Sequence, residues 1–154
     1  MKRAVSLFCI VSMIICLFCS CTTKEADLSV VLDKINSSCN LSGLTQIADA
    51  NDLNSYYGIE PDDVKQFAAE IDENSSDAPV EIVMVEAKDS TAAQNVSTKL
   101  TNRYNSIYNM YASYSKDQLA VVEKCQVTTD GNFVTLIVSD KAQSMLDIFY
   151  SYIK

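Results

Sequence analysis

The chain predicts an α+β domain, a mainly antiparallel four-stranded sheet packed by N-terminal, central long and C-terminal helices. Three observations carry this expectation. Pro79 to Ala87 and Asn132 to Val138 are apolar on both faces, as strands buried inside a covered sheet must be. Thr91 to Ser115 keeps its apolar residues at helical spacing along its length. Asp130-Gly131 joins Cys125–Thr129 to Asn132–Val138, the spacing of a tight type I′ hairpin in which both loop residues take positive φ. Val64 to Ser115 and Cys125 to Lys154 each read strand, strand, helix, a ββα-ββα-like core without sequence repetition.

Taken in order, Leu28, Val31, Leu32 and Ile35 fall at i, i+3, i+4 and i+7, one face of a helix that starts at Asp27 and stops near Asn36 to Cys39. Leu41 to Leu44 is a loop, and Asp52 to Tyr57 forms a helical turn before Gly58. Asp49, Asn51 and Glu60 match positions one, three and twelve of a calcium loop. Leu53 and Asn54 occupy positions five and six, however, where a ligand and the sharp-turn glycine belong. These acids therefore read as solvated loop residues. Val64 to Ile71 satisfies both the helical and the strand period, and Asp72 to Pro79 is an Asn-, Ser- and Asp-rich loop.

In the long helix, Val96, Leu100, Tyr104, Ile107, Tyr111 and Tyr114 form the stripe that faces the sheet, with Met110 at its margin and Tyr108 turned away. Arg103 lies within that stripe. A guanidinium keeps its proton when buried, so it needs an acidic partner, and Glu81 and Glu86 on the preceding strand are the candidates for a structural ion pair. Lys116 to Lys124 is a second helical piece. The last helix begins at Asp140 with Gln143 three residues on, a capping-box arrangement, and buries Ala142, Met145, Leu146, Phe149 and Ile153.

The first residues have a different character. Lys2 and Arg3 precede an uncharged run, Ala4 to Phe18, which closes on Cys19-Ser20-Cys21. A basic start, an apolar middle and small residues at the exit form a secretory signal. A cysteine directly after Ser20 resembles a bacterial lipoprotein signal, with Phe18 in place of the usual leucine. The expected organisation is a signal peptide at 1–20, a short tether at 21–26 from lipidated Cys21, and one α+β domain at 27–154. Five or six tether residues reach only about 20 Å, which keeps the domain close to the extracytoplasmic face of the membrane. A soluble secreted product is a competing reading. An uncleaved anchor helix is another, although the run is shorter than the roughly twenty residues a span needs.

Of the 154 residues, 12 are basic and 20 acidic, for a net charge of −8; losing Lys2 and Arg3 with the signal takes it to −10. Such a surface repels phosphate backbones, so nucleic acid is not an expected partner. Past Cys21 only Cys39 and Cys125 remain, and the chain has no histidine. The two cysteines can form one disulfide outside the cytoplasm or stand as separate buried thiols. Without histidine there is no Ser-His-Asp triad, no Cys-His pair and no His-ligated metal. The three isolated glycines make no phosphate loop. No catalytic residue, metal or cofactor is expected beyond the covalent diacylglycerol on Cys21. Carboxylate-pair hydrolysis is the enzymatic alternative, since acids are plentiful.

Several segments resemble a known set in order and spacing. They are Tyr57-Gly58-Ile59, Asp62-Asp63-Val64, Glu81 to Val85, Arg103, Tyr114 before Lys-Asp-Gln-Leu, and Asp130 to Val134 leading to Val138-Ser139. The chain resembles the domain of unknown function 4358 family, small lipoproteins of Gram-positive bacteria, from about Leu28 onward. The resemblance implies an anchored extracytoplasmic domain and a strand at Val64 to Ile71, and it brings no catalytic residues. The Cys39 and Cys125 pair departs from the family pattern. The expected role is a non-catalytic binding or interaction module with a protein or cell-envelope partner.

Overall fold

The computed structural model describes residues 26–73 and 79–154. The expected signal peptide, Cys21 and the expected tether up to residue 25 lie outside the described residues, as do positions 74–78 of the predicted loop. Among the described residues, no helix is long and apolar enough to cross a membrane.

In chain order the elements are α1 (Leu28–Cys39), β1 (Thr45–Gln46), α2 (Ala50–Tyr57), a 3-10 turn (Pro61–Asp63), β2 (Val64–Ile71), β3 (Glu81–Ala87), α3 (Ser90–Tyr114), α4 (Lys116–Val122), β4 (Val127–Asp130), β5 (Phe133–Val138) and α5 (Ala142–Ile153). The strands make one sheet in the order β1-β2-β3-β5-β4, with every neighbouring pair antiparallel. Five strands replace the expected four because Thr45–Gln46, in a stretch with no strand pattern, pairs with Glu70 and Ile71 at the β2 edge. Two residues are too few to show a period.

The two strands with two apolar faces are interior, and every residue of β3 and β5 is buried. Register explains the layering, since residues paired across strands share a face. Glu81, Val83 and Val85 align with Val138, Leu136 and Val134 on the side that meets α3, where Glu81 bonds to Arg103. Met84 and Glu86 align with Thr135 and Phe133 on the other side, where Phe133 packs edge-on against Phe149 of α5. The sheet thus has α2, α3 and α4 on one side and α1 and α5 on the other. Leu28, Val31, Leu32 and Ile35 of α1 are all buried.

Helix ends follow local chemistry. Asp27, Asp49 and Asp89 each cap a helix N-terminus by accepting backbone N–H bonds. Asp49 accepts from Asn51 and Asp52, so the residue that opens the calcium-like pattern caps α2. Gly58 ends α2 at φ 67°, in the left-handed region.

Three expectations change. The capping box at the last helix does not form. Lys141 is the cap residue without a side-chain bond, Ser139 Oγ takes the Lys141 N–H, and Gln143 turns forward to Asp147. The hairpin loop is Gly131-Asn132 rather than Asp130-Gly131, since Asp130 pairs with Phe133. Gly131 has φ 59° while Asn132 is not among the residues of positive φ, the pattern of a type II′ turn with glycine first.

The third change concerns the tyrosines. Tyr114 is 84% exposed, because α3 outruns the sheet. Its 25 residues span roughly 37 Å at ~1.5 Å each, whereas the 7 residues of β3 cover roughly 23 Å. The last fully buried residue of α3 is Ile107; Tyr108 and Tyr111 still pack partly against the core, and the final turn overhangs. Tyr108, expected to face away, is half-buried against the core beside Tyr104, where α4 folds back on α3.

Candidate functional site

The residues singled out for charge lie on β3 and α3. Period two sends Glu81 and Glu86 to opposite faces, and each is buried, at 4% and 9% exposure. Arg103 reaches Glu81 from α3 as a fork. Its Nε donates to Oε1 at 2.9 Å and its Nη2 to Oε2 at 2.6 Å, the bidentate geometry that makes Arg–carboxylate pairs strong. The Glu81 side chain is 5% exposed and that of Arg103 33%, so the base snorkels along α3 while the acid stays inside. The hydrogen bond to Glu81 raises the Arg103 pKa, with burial opposing it. The guanidinium carbon sits 5.9 Å from the Tyr57 ring centroid, within cation–π range.

Tyr57 completes this cluster from the end of α2. It is 6% exposed, and among the described residues its hydroxyl makes no well-formed hydrogen bond, although the Glu81 carboxylate is close enough to act on it. Burial, then the Glu81 carboxylate, push that phenol well above its ordinary range, with Arg103 opposing.

Glu86 takes other partners. Lys65 Nζ lies 2.8 Å from its Oε1, and Gln66 donates to its Oε2. Gln66 also donates to the Ala26 carbonyl at 2.7 Å and accepts from the Leu28 N–H at 3.1 Å. This glutamine pins the start of α1 to the sheet, a role that sequence reasoning misses. Its one signal is a polar residue interrupting the apolar alternation of a strand directly opposite another, Glu86.

The two cysteines are free thiols, both buried. Cys125 Sγ donates to Val121 O at 3.3 Å and lies 3.6 Å from Ser139 O. Cys39 sits at the end of α1, where its carbonyl accepts from Lys141 Nζ. The disulfide left open by the sequence is therefore not formed. Burial raises the Cys125 pKa, the opposite of what activates a nucleophilic thiolate.

Four clefts bear on chemistry. The largest, about 400 Å³, runs between α3 and the end of β4 and is lined by Ser90, Gln94, Ser97, Thr98 and Thr129 among others. One of about 160 Å³ lies at Asn36 and Glu70, which bond to each other at 2.8 Å. Another of about 150 Å³ lies over the Ser139–Asp140 turn. The smallest, about 90 Å³, is lined by Asp72, Glu81, Arg103 and Tyr111. Only there do two of the described carboxylates line one of these clefts, and Glu81 is already engaged by Arg103 at two oxygens.

An all-antiparallel sheet between two helical layers, with its buried acids held by basic partners, defines the class as α+β. The chain belongs to the family described as domain of unknown function (DUF4358), whose model matches residues 37–139. No curated protein and no solved structure matches the chain.

Proposed function

We propose that the protein is a bacterial lipoprotein, held by diacylglycerol on Cys21 at the extracytoplasmic face of the cell membrane, where its domain binds a protein or cell-envelope partner without catalysis. The anchoring rests on the uncharged run ending at Ser20-Cys21. The absence of catalysis rests on one observation. Glu81, the most buried of the described carboxylates, is held in a two-pronged pair with Arg103 and is not available to transfer protons.

The alternative, a small carboxylate-dependent hydrolase, has one point in its favour, the shared lining of a cleft by Asp72 and Glu81. At about 90 Å³ that cleft falls below the roughly 300 Å³ of ordinary ligand sites. Metabolic labelling with a fatty-acid analogue tests the anchor. Wild-type chain takes up the label and partitions into membranes, and Cys21→Ala does neither. Label retained on the alanine variant contradicts the assignment.

A further inference from the structure

The sheet has two edges, one formed by β1 with the part of β2 that β1 leaves uncovered and the other by β4. β1, with 2 residues, is too short to template another strand. β4 at the opposite edge has 4 residues, partly exposed.

Which backbone groups point outward follows from register. Asp130 and Phe133 flank the two-residue loop, so they form a hydrogen-bonded pair and alternate pairs follow it. The bond from Ala87 N to Asn132 O confirms the phase. It places Val134 and Leu136 toward β3, leaving Phe133 and Thr135 to bond β4. Thr128 and Asp130 therefore spend their N–H and C=O on β5. Val127 and Thr129 direct theirs away from the sheet, two donors and two acceptors with no backbone partner among the described residues.

A second observation coincides with the first. The cleft of about 400 Å³ runs beside this edge, between Thr129 and Gly131 on one side and α3 on the other. Val127 and Thr129 share the register of Leu136 and Val134, the face that meets α3. A strand added about 4.8 Å outside β4 would bond to Val127 and Thr129 and set alternate side chains into that cleft.

We infer that β4 and the adjoining α3 cleft form a strand-addition site for an extended segment of another polypeptide, with Ser, Thr, Asn or Gln facing the cleft and Lys or Arg beside Asp130. The backbone edge selects the extended conformation, because only a strand supplies donors and acceptors at the repeat of Val127 and Thr129. The cleft selects the side chains, since Ser90, Gln94, Ser97, Thr98 and Thr129 line it with hydroxyls and an amide but no charge; an incoming polar group would replace the long 3.4 Å bond from Thr129 Oγ1 to Ser97 Oγ, while Thr98 Oγ1 stays bonded to Gln94 O. The charge follows from the net −8 of the chain, which repels acidic segments, and from Asp130, 44% exposed, whose present cation Lys154 at 3.6 Å is itself 65% exposed and is the one an incoming Lys or Arg would displace. That charge also disfavours a second copy of the chain as the occupant. The inference rests on the reading of the protein as an interaction module and specifies its surface.

The test uses the full chain in detergent and a labelled, end-capped peptide of alternating Thr and Val between terminal lysines. Amide exchange is followed residue by residue. Free protein should exchange quickly at Val127 and Thr129 and slowly at Thr128 and Asp130, and the peptide should slow the first two. Thr129→Pro removes an outward N–H at an edge position that tolerates proline. It should weaken peptide binding by about three- to tenfold, the loss of roughly one hydrogen bond. If that variant unfolds, the exchange readout on wild type still decides.

Unchanged exchange at Val127 and Thr129 with saturating peptide overturns the inference. Protection that instead rises with protein concentration in the absence of peptide overturns it in favour of self-pairing. Lipid labelling is independent of both. A labelled chain without peptide binding sinks this inference alone, and a binding chain without label sinks only the anchor.

Discussion

Breaking the Arg103–Glu81 pair from its two ends should have unequal costs, because the partners differ in burial. With Arg103→Met the stem packing survives, but the Glu81 carboxylate, 5% exposed, is left with no opposite charge. An unpaired buried charge of this kind costs about 3–5 kcal/mol. Glu81→Leu leaves the guanidinium instead, which is 33% exposed and can turn toward water over the Tyr57 ring, so the cost is about 1–2 kcal/mol. The double variant removes both charges and should lie within about 1–2 kcal/mol of wild type. The coupling is then about 2–6 kcal/mol, well beyond additivity. Urea unfolding followed by far-UV circular dichroism measures it. At a slope of about 1–3 kcal/mol/M, Arg103→Met should lower the midpoint by roughly 1–5 M with an unchanged slope. Equal and additive effects of the two single variants would refute the argument from burial.

Two further outcomes follow from named residues. Tyr57→Phe removes a buried hydroxyl that makes no well-formed hydrogen bond among the described residues and should change stability by less than about 1 kcal/mol at neutral pH. The folded-state pKa of Tyr57 is raised, so its contribution is complete below the unfolded value near ~10 and is lost as pH rises beyond it. The wild type should therefore lose stability from about pH 10 upward more steeply than Tyr57→Phe, as urea midpoints across that range will show. Gly131 has φ +59°, and the space where a Cβ would stand is open, with nothing within 4 Å. Backbone strain alone therefore sets the cost of substitution there. Gly131→Asn should cost a few tenths of a kcal/mol and Gly131→Val about 1–2, read as shifts in thermal midpoint.

What the sequence makes legible is what apolar period controls. Both two-faced strands, the α1 stripe and the core half of α3 are places where burial dictates residue type at every turn. Tyr114 escapes such reading because periodicity says which side a residue is on and not whether anything lies opposite; sheet length supplies that. The Asp130-Gly131 dipeptide suits a type I′ loop, but pairing of Asp130 with Phe133 moves the loop by one residue. Local turn preference yields to the register that buries both faces of β5. Arg103 is readable as a charge in an apolar stripe. Choosing Glu81 over Glu86 needs the knowledge that α3 covers one face of β3 and α1 with α5 the other, which no local pattern carries. Gln66 shows the same limit, since its three partners on Glu86, Ala26 and Leu28 are assembled only by the fold.

The anchor at Cys21 is the claim on which the proposed location depends. Mass spectrometry of the chain purified from bacterial membranes tests it directly. The predicted result is a mature N-terminus at Cys21, with the mass of a diacylglyceryl thioether and no peptide from residues 1–20. An unmodified Cys21, or a chain that still begins at Met1, would contradict it.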